Sequence, residues 1–253
     1  MVLESLDTKL VSRWVPSPNY GLRRNDRAID MLVLHYTSMA SHDAALAWLT
    51  DTQSSVSAHY LVDTDGTITQ MVSESKRAWH AGASYWAGET DINSCSVGVE
   101  LHNVGPDGGY PDFPDVQMKA VTTLCLDICA RRAIPRTRVL AHSDVAPARK
   151  LDPGDKFDWA RLYRAGVGLW VPPVPIGEDS GLGQGDGGAE VVRLQERLAA
   201  FGYGLEVSGK YETSTEQVVA AFQRHWRQSR VDGRADSSTR QALERVGAAA
   251  KAH

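Results

Sequence analysis

The chain has 253 residues, of which 42% are hydrophobic and 23% charged, and a formal net charge of −4. This is the composition of a globular protein with room for one large domain or two modest ones. The acidic balance speaks against a nucleic-acid binder, which carries a basic patch, and no run of about 18 apolar residues is present to span a membrane.

The N-terminal stretch MVLESLDTKLVSRW lacks the basic start and apolar core of a signal peptide, so export is expected to need another route. Residues 1–27, with SPNYG at 17–21, are polar and turn-rich and are expected to wrap the domain surface. IDMLVLH (29–35) is nearly continuous in apolar residues and predicts a central strand buried on both faces, with His35 at its end. Residues 42–50 predict a helix from the stripe Ala45, Trp48 and Leu49. Residues 58–63 and 67–72 then form a hairpin around Asp65-Gly66. RAWHAG (77–82) reads as a loop bearing Trp79 and His80.

In SCSVGVELHN (94–103), Val97, Val99 and Leu101 share one strand face, which leaves Glu100 and His102 on the other. Residues 114–132 predict the longest helix, through Val121, Leu124 and Ile128, and Pro135 ends it. Residues 138–141 form a strand that delivers His142 into the loop AHSDVAPARKLDPG (141–154), and 157–169 predict a closing helix. The three cysteines, Cys95, Cys125 and Cys129, read as reduced, largely buried thiols.

Strands interleaved with helices give an α/β domain, a mixed central sheet flanked by helices, over residues 1–170. Residues 171–188 (VPPVPIGEDSGLGQGDGG) form a linker, stiff where Pro-rich and flexible where Gly-rich. Residues 189–253 contain a repeat: Val207-x-Gly209-x5-Thr215-x-Gln217 recurs as Val231-x-Gly233-x5-Thr239-x-Gln241. They predict a small all-α three-helix domain with Thr213 and Glu216 as a capping box, suited to binding rather than catalysis.

A hydrolytic metal site needs three protein ligands, a separate proton carrier and a cation for the developing oxyanion. His35, His142 and Asp152 suit the first role, Glu100 the second and Lys150 the third.

The segments LVLHYTS (32–38), VSAHYLV (56–62), RAWHAG, SVGVELHN (96–103) and AHSDVAPARKLDPG occur in an order that resembles the signature of type 2 N-acetylmuramoyl-L-alanine amidases. That family is related to bacteriophage T7 lysozyme and the peptidoglycan recognition proteins, and the likeness covers roughly residues 15–168. The C-terminal repeat is similar to the three-helix peptidoglycan-binding domain of wall hydrolases. The resemblance implies one Zn2+ held by His35, His142 and Asp152. It also implies Glu100 as general acid/base and Lys150 as transition-state stabiliser. His59 is expected to order the sheet near the cleft, while Trp79 and His80 line the substrate groove. The implied substrate is peptidoglycan or its muropeptides, cut between N-acetylmuramic acid and L-alanine. This places the chain's action in the cell envelope or periplasm. Two rivals are a non-catalytic peptidoglycan recognition protein and a cytoplasmic recycling amidase specific for anhydro-muropeptides.

Overall fold

The apolar run around Leu32 becomes an inner strand of a six-stranded sheet in the computed structural model, which describes residues 6–252. The first five residues, part of the expected surface wrap and of the stretch read for an export signal, lie outside the described residues, as does His253. In chain order the N-terminal elements are β1 (Arg13–Trp14), β2 (Tyr20–Gly21), β3 (Met31–Tyr36), α1 (His42–Thr50), β4 (Tyr60–Val62), β5 (Ile68–Gln70), β6 (Arg77–Ala78), α2 (Ile92–Cys95), β7 (Ser96–Leu101), α3 (Asp115–Arg132), β8 (Val139–Ala141), α4 (His142–Val145) and α5 (Trp159–Arg164). The C-terminal helices are α6 (Ala189–Phe201), α7 (Thr213–Trp226) and α8 (Ser237–Lys251).

The large sheet runs β1-β5-β4-β7-β3-β8 and is parallel at every pairing except β4–β5, while β2 and β6 form a separate antiparallel ribbon. Two expectations change here. Residues 13–14 and 20–21 do not merely wrap the surface, and Arg77–Ala78 is a strand rather than loop, because each satisfies its backbone groups on a neighbouring edge. The closing helix is shorter than expected, ending at Arg164, since Gly166 and Gly168 adopt positive φ (98° and 71°) that no helix accommodates.

Strand alternation divides the core. Leu32, Leu34, Val97, Val99 and Leu101 pack on Val121, Leu124 and Ile128 of α3. Met31, Val33, Leu140 and Val145 face the other way, into a cluster with Val191, Leu194, Phe222 and Trp226 from the C-terminal helices. His35 and Glu100 continue this second face beyond the helical cover. They are register partners on β3 and β7, at the carboxyl ends of parallel strands where open sheets gather ligand sites.

The internal repeat has a physical cause. The Gln195 amide accepts from Gly209 N (2.9 Å) and donates to Thr215 Oγ1 (2.9 Å); Gln223 repeats this with Gly233 N (2.9 Å) and Thr239 Oγ1 (3.1 Å). Each buried glutamine thus ties a glycine turn to the start of the next helix. The expected capping box at Thr213 does not form. The helix begins one residue early, Glu212 sits at the cap without a side-chain bond, and Glu216 is taken by Gln184.

The 171–188 segment is pinned rather than loose. Val171 and Val174 are buried, Ser238 Oγ donates to Val174 O (2.7 Å), and Leu182 bridges Ala235. All three cysteines are free, and burial raises the thiol pKa of each, which keeps them unreactive. Among the described residues no helix is long and apolar enough to cross a membrane.

Candidate active site

Three buried side chains meet at the end of β3. His35 Nδ1 lies 2.9 Å from His142 Nδ1 and 3.1 Å from Asp152 Oδ2, and His142 Nδ1 lies 3.0 Å from the same oxygen. His35 arrives on the sheet, His142 opens α4 directly after β8, and Asp152 returns on the following loop. That loop is anchored by Ser143 N donating to Asp152 O (3.0 Å).

The surrounding hydrogen bonds fix which atoms carry protons. Ser96 Oγ donates to Ile92 O (2.6 Å), so it accepts from His80 Nε2–H (3.1 Å). His80 Nδ1 is therefore an acceptor and takes the Nε2–H of His35 (3.1 Å). On the other side, His142 Nε2–H donates to Ala81 O (3.1 Å). Both Nδ1 lone pairs consequently point at each other and at the Asp152 carboxylate. Burial, then the neighbouring His142, lowers the His35 pKa to about 4, so its ring is neutral near pH 7. Burial pushes the Asp152 carboxyl up, but His142 and His35 more than offset this and hold it well below the usual carboxylate range. Three converging lone pairs repel unless a cation lies between them, and the donor set fits a metal ion.

Beside this triad opens a cleft of about 370 Å³, with Trp48, Trp79, Glu100, Lys150 and Leu151 in its lining. Glu100 Oε2 is sealed from solvent and has no hydrogen-bond partner among the described residues. Burial, then the Asp152 charge, pushes the Glu100 carboxyl up to about 8, while Lys150 pulls it down. A carboxyl poised near neutrality can both take and return a proton.

Comparison with known proteins decides the family. The N-acetylmuramoyl-L-alanine amidase family model matches residues 25–155, and a peptidoglycan binding domain model matches 187–243. The N-acetylmuramoyl-L-alanine amidase AmiD of Escherichia coli (strain K12) is 37% identical over 243 residues, covering 85% of this chain and 81% of AmiD. The chain belongs to the N-acetylmuramoyl-L-alanine amidase family.

Among amidases of this family, the structure of E. coli AmiD in complex with anhydro-N-acetylmuramic acid-L-Ala-D-gamma-Glu-L-Lys aligns at a TM-score of 0.73 and 36% identity, over 86% of this chain and 88% of that one. AmpDH3 of Pseudomonas aeruginosa aligns at 0.73 and 28%, over 98% and 97%. The 1,6-anhydro-N-acetylmuramyl-L-alanine amidase AmpD of E. coli is 38% identical over 169 residues, 60% of this chain and 90% of AmpD.

The structure brings His35, His142 and Asp152 together, with Glu100 and Lys150 in the adjoining cleft. Trp79 and His80 both line that cleft, and His80 in addition turns its ring nitrogens to His35 and Ser96. His59 accepts from Gly98 N (3.0 Å) through Nδ1 and sends Nε2–H to Lys76 O (3.1 Å), stitching β4 to β7. Sequence reasoning missed Ser96 and Gly98. A Cβ on Gly98 would lie 2.5 Å from His80 Cγ, so only glycine lets that ring lie on β7. The SVG run in the strand carried the signal, as a glycine inside an apolar strand marks close approach.

Proposed function

We propose that this amidase is zinc-dependent and cuts the amide between the lactyl group of N-acetylmuramic acid and L-alanine of the stem peptide. His35, His142 and Asp152 would hold the ion, since two imidazoles and one carboxylate leave a tetrahedral site one open position. A zinc ion held there supplies a Lewis acid for the scissile carbonyl and acidifies the attacking water. Glu100 takes the water's proton as its oxygen bonds to the carbonyl carbon. Lys150 places its ammonium against the oxyanion that develops. Glu100 then returns the proton to the L-alanine nitrogen as the C–N bond breaks, so one water is consumed and a free amine leaves. The observation that carries this reading is the convergence of three lone pairs beside a cleft lined by Glu100, whose Oε2 is sealed from solvent and unbonded among the described residues.

A new N-terminal L-alanine in muropeptides treated with the protein, detected by mass spectrometry and absent after zinc chelation, is the expected result. No such product from sacculi or soluble muropeptides would return the chain to the class of binding-only recognition proteins.

A second reading concerns the substrate pool. The AmiD and AmpDH3 complexes hold anhydromuramic peptides, which favours soluble anhydro-muropeptides. The C-terminal repeat, with residues 1–170, 171–188 and 189–253 taken as amidase, strap and wall-binding unit, favours intact murein and action in the envelope. Turnover of both substrates by the full chain, measured side by side, separates these readings.

A further inference from the structure

The C-terminal helices do more than cover the sheet; they complete a second hollow next to the catalytic one. The His225 ring of α7 is stacked between Trp159 and Trp226, at 3.6 Å from each ring and 22° and 11° from parallel. Its Nδ1 meets Asp144 Oδ2 at 2.7 Å, and Gln228 donates to Phe157 O at 2.8 Å. These contacts hold α7 in place beside the loop after α4. Between them lies a groove of about 570 Å³, with Pro147 to Leu151 on one side and Arg224, Gln217 and Asp232 on the other. Arg149, Lys150 and Leu151 also line the catalytic cleft, so one stretch of loop is the common wall of the two hollows.

Most charges in the groove are already engaged. Asp232 accepts from Gln223 (3.1 Å) and Arg234 N (3.0 Å) and pairs with Arg230 (3.1 Å). Glu216 is bonded by Gln184. Arg149 donates to the carbonyls of Ala81 (2.9 Å) and Ala83 (2.7 Å). Lys150 and Arg224 are left, neither with a side-chain hydrogen bond or an ion pair to another described residue. Asp155 is the leading carboxylate influence on Arg224, yet the two form no ion pair or hydrogen bond. Arg224 is half-buried, and a guanidinium removed from water without an anion is matched best by a carboxylate that its planar fork can grip.

Resting on the amidase reading, we propose that this groove receives the stem peptide and that Arg224, from the C-terminal helices, pairs with a carboxylate of that peptide. The charge pattern selects the peptide over the sugar. An anhydromuramyl ring is uncharged, whereas the tripeptide in the AmiD complex, L-Ala-D-gamma-Glu-L-Lys, bears a free α-carboxylate on its γ-linked glutamate and another at its end. The shared wall at Arg149, Lys150 and Leu151 sets the groove directly beside the cleft. Arg224 is thus a specificity-determining residue on an element that the sequence assigns to wall binding.

The test uses the zinc-loaded full chain, its R224A and R224K variants, and two probes: the anhydromuramyl tripeptide and the same molecule with its carboxylates converted to carboxamides. For the acidic probe, R224A should raise KM about tenfold with kcat nearly unchanged, and R224K should recover part of the loss. For the carboxamide, the wild type should bind about tenfold more weakly and R224A should change nothing further. Calorimetric binding of the free tripeptide to the same proteins reads the groove without any turnover. If the wild type hydrolysed neither probe, the amidase reading would fail, while a loss of tripeptide affinity on R224A would still support the groove. Tripeptide affinity equal in wild type and R224A, with zinc content and thermal midpoint unaltered, overturns the proposal.

Discussion

The phenol of Tyr203 donates to Asp144 Oδ1 at 2.8 Å, joining the loop after α6 to the turn that carries His142. Asp144 is fully buried, and its other oxygen accepts from Ala141 N (2.8 Å) and meets His225 Nδ1 (2.7 Å). Its carboxylate therefore caps the α4 turn from one side and is held from the other by Tyr203 after α6 and His225 of α7. Y203F removes one partner from a buried anion, at a cost of about 1–3 kcal/mol, and leaves the His142 turn less constrained. Turnover of a soluble muropeptide should fall severalfold and zinc should bind more weakly, with sacculus binding intact. If Y203F instead turned over soluble substrate normally and lost only sacculus binding, the C-terminal helices would be a tether and nothing more.

His80 offers a sharper test, since its two readings predict opposite kinetics. As the acceptor of the His35 Nε2–H it selects the tautomer whose Nδ1 faces the metal position. Removing such an outer partner typically costs 10–100-fold in metal affinity. H80F should therefore weaken zinc binding by about that factor, measured by chelator competition, and the ¹⁵N shifts of His35 should report loss of a single tautomer. G98A, which keeps His80 but puts a Cβ 2.5 Å from its ring, should move both readouts in the same direction. A role lining the substrate groove predicts a raised KM with zinc affinity unaltered.

The contrast between these residues and the ligands explains what could be read from the chain. Glu100 was legible because strand alternation is local, the apolar residues at 97, 99 and 101 dictating which side chains face the other way, and His35 because it ends a nearly continuous apolar run at the strand-to-loop junction. His142 and Asp152 were legible because one short loop carries both. His80 was legible as a groove residue, but its bonds to His35 and Ser96 were not, because they depend on the absence of a side chain at Gly98, 18 positions away, and on how the 79–82 loop crosses β7. Asp144, Tyr203 and His225 meet only after two separately patterned regions dock, and no periodicity within either region encodes that event. The short edge strands β1, β2 and β6 escaped for the related reason that two residues hold no alternation to detect.

Glu100 and Lys150 can be separated by pH. Glu100 must be ionised to accept the water's proton, so kcat/KM rises with pH through its pKa. E100Q should lower kcat by about 10³-fold or more while zinc stays bound. Lys150 pulls the Glu100 pKa down, against burial and Asp152, which push it up. K150M should accordingly shift the acid limb of the kcat/KM profile to higher pH, and should cut the plateau by about 10²-fold through loss of the oxyanion partner. An unshifted limb with the same plateau loss would confine Lys150 to the oxyanion; loss of zinc would make it structural.

A last prediction concerns the fold that carries the site. The Glu74 side chain is fully buried and accepts from both Arg131 Nη atoms (2.8 Å each), Arg132 Nε (2.6 Å) and Tyr60 Oη (2.6 Å), tying the end of α3 to the loop after β5. Burial alone would push this carboxyl up; the bonds from Arg131, Tyr60 and Arg132 outweigh it and bring it from 4.5 to about 2. A depressed folded-state value means that the stabilisation is fully present above the unfolded value of 4.5 and is lost as pH falls toward 2. The shift corresponds to at most about 3 kcal/mol, because both arginines remain partly exposed. E74Q should lower the thermal midpoint by several degrees at pH 7, and the gap from wild type should narrow steadily between pH 4.5 and pH 2. A gap that stays constant across that window would mean that Glu74 acts through packing, with its charge contributing nothing.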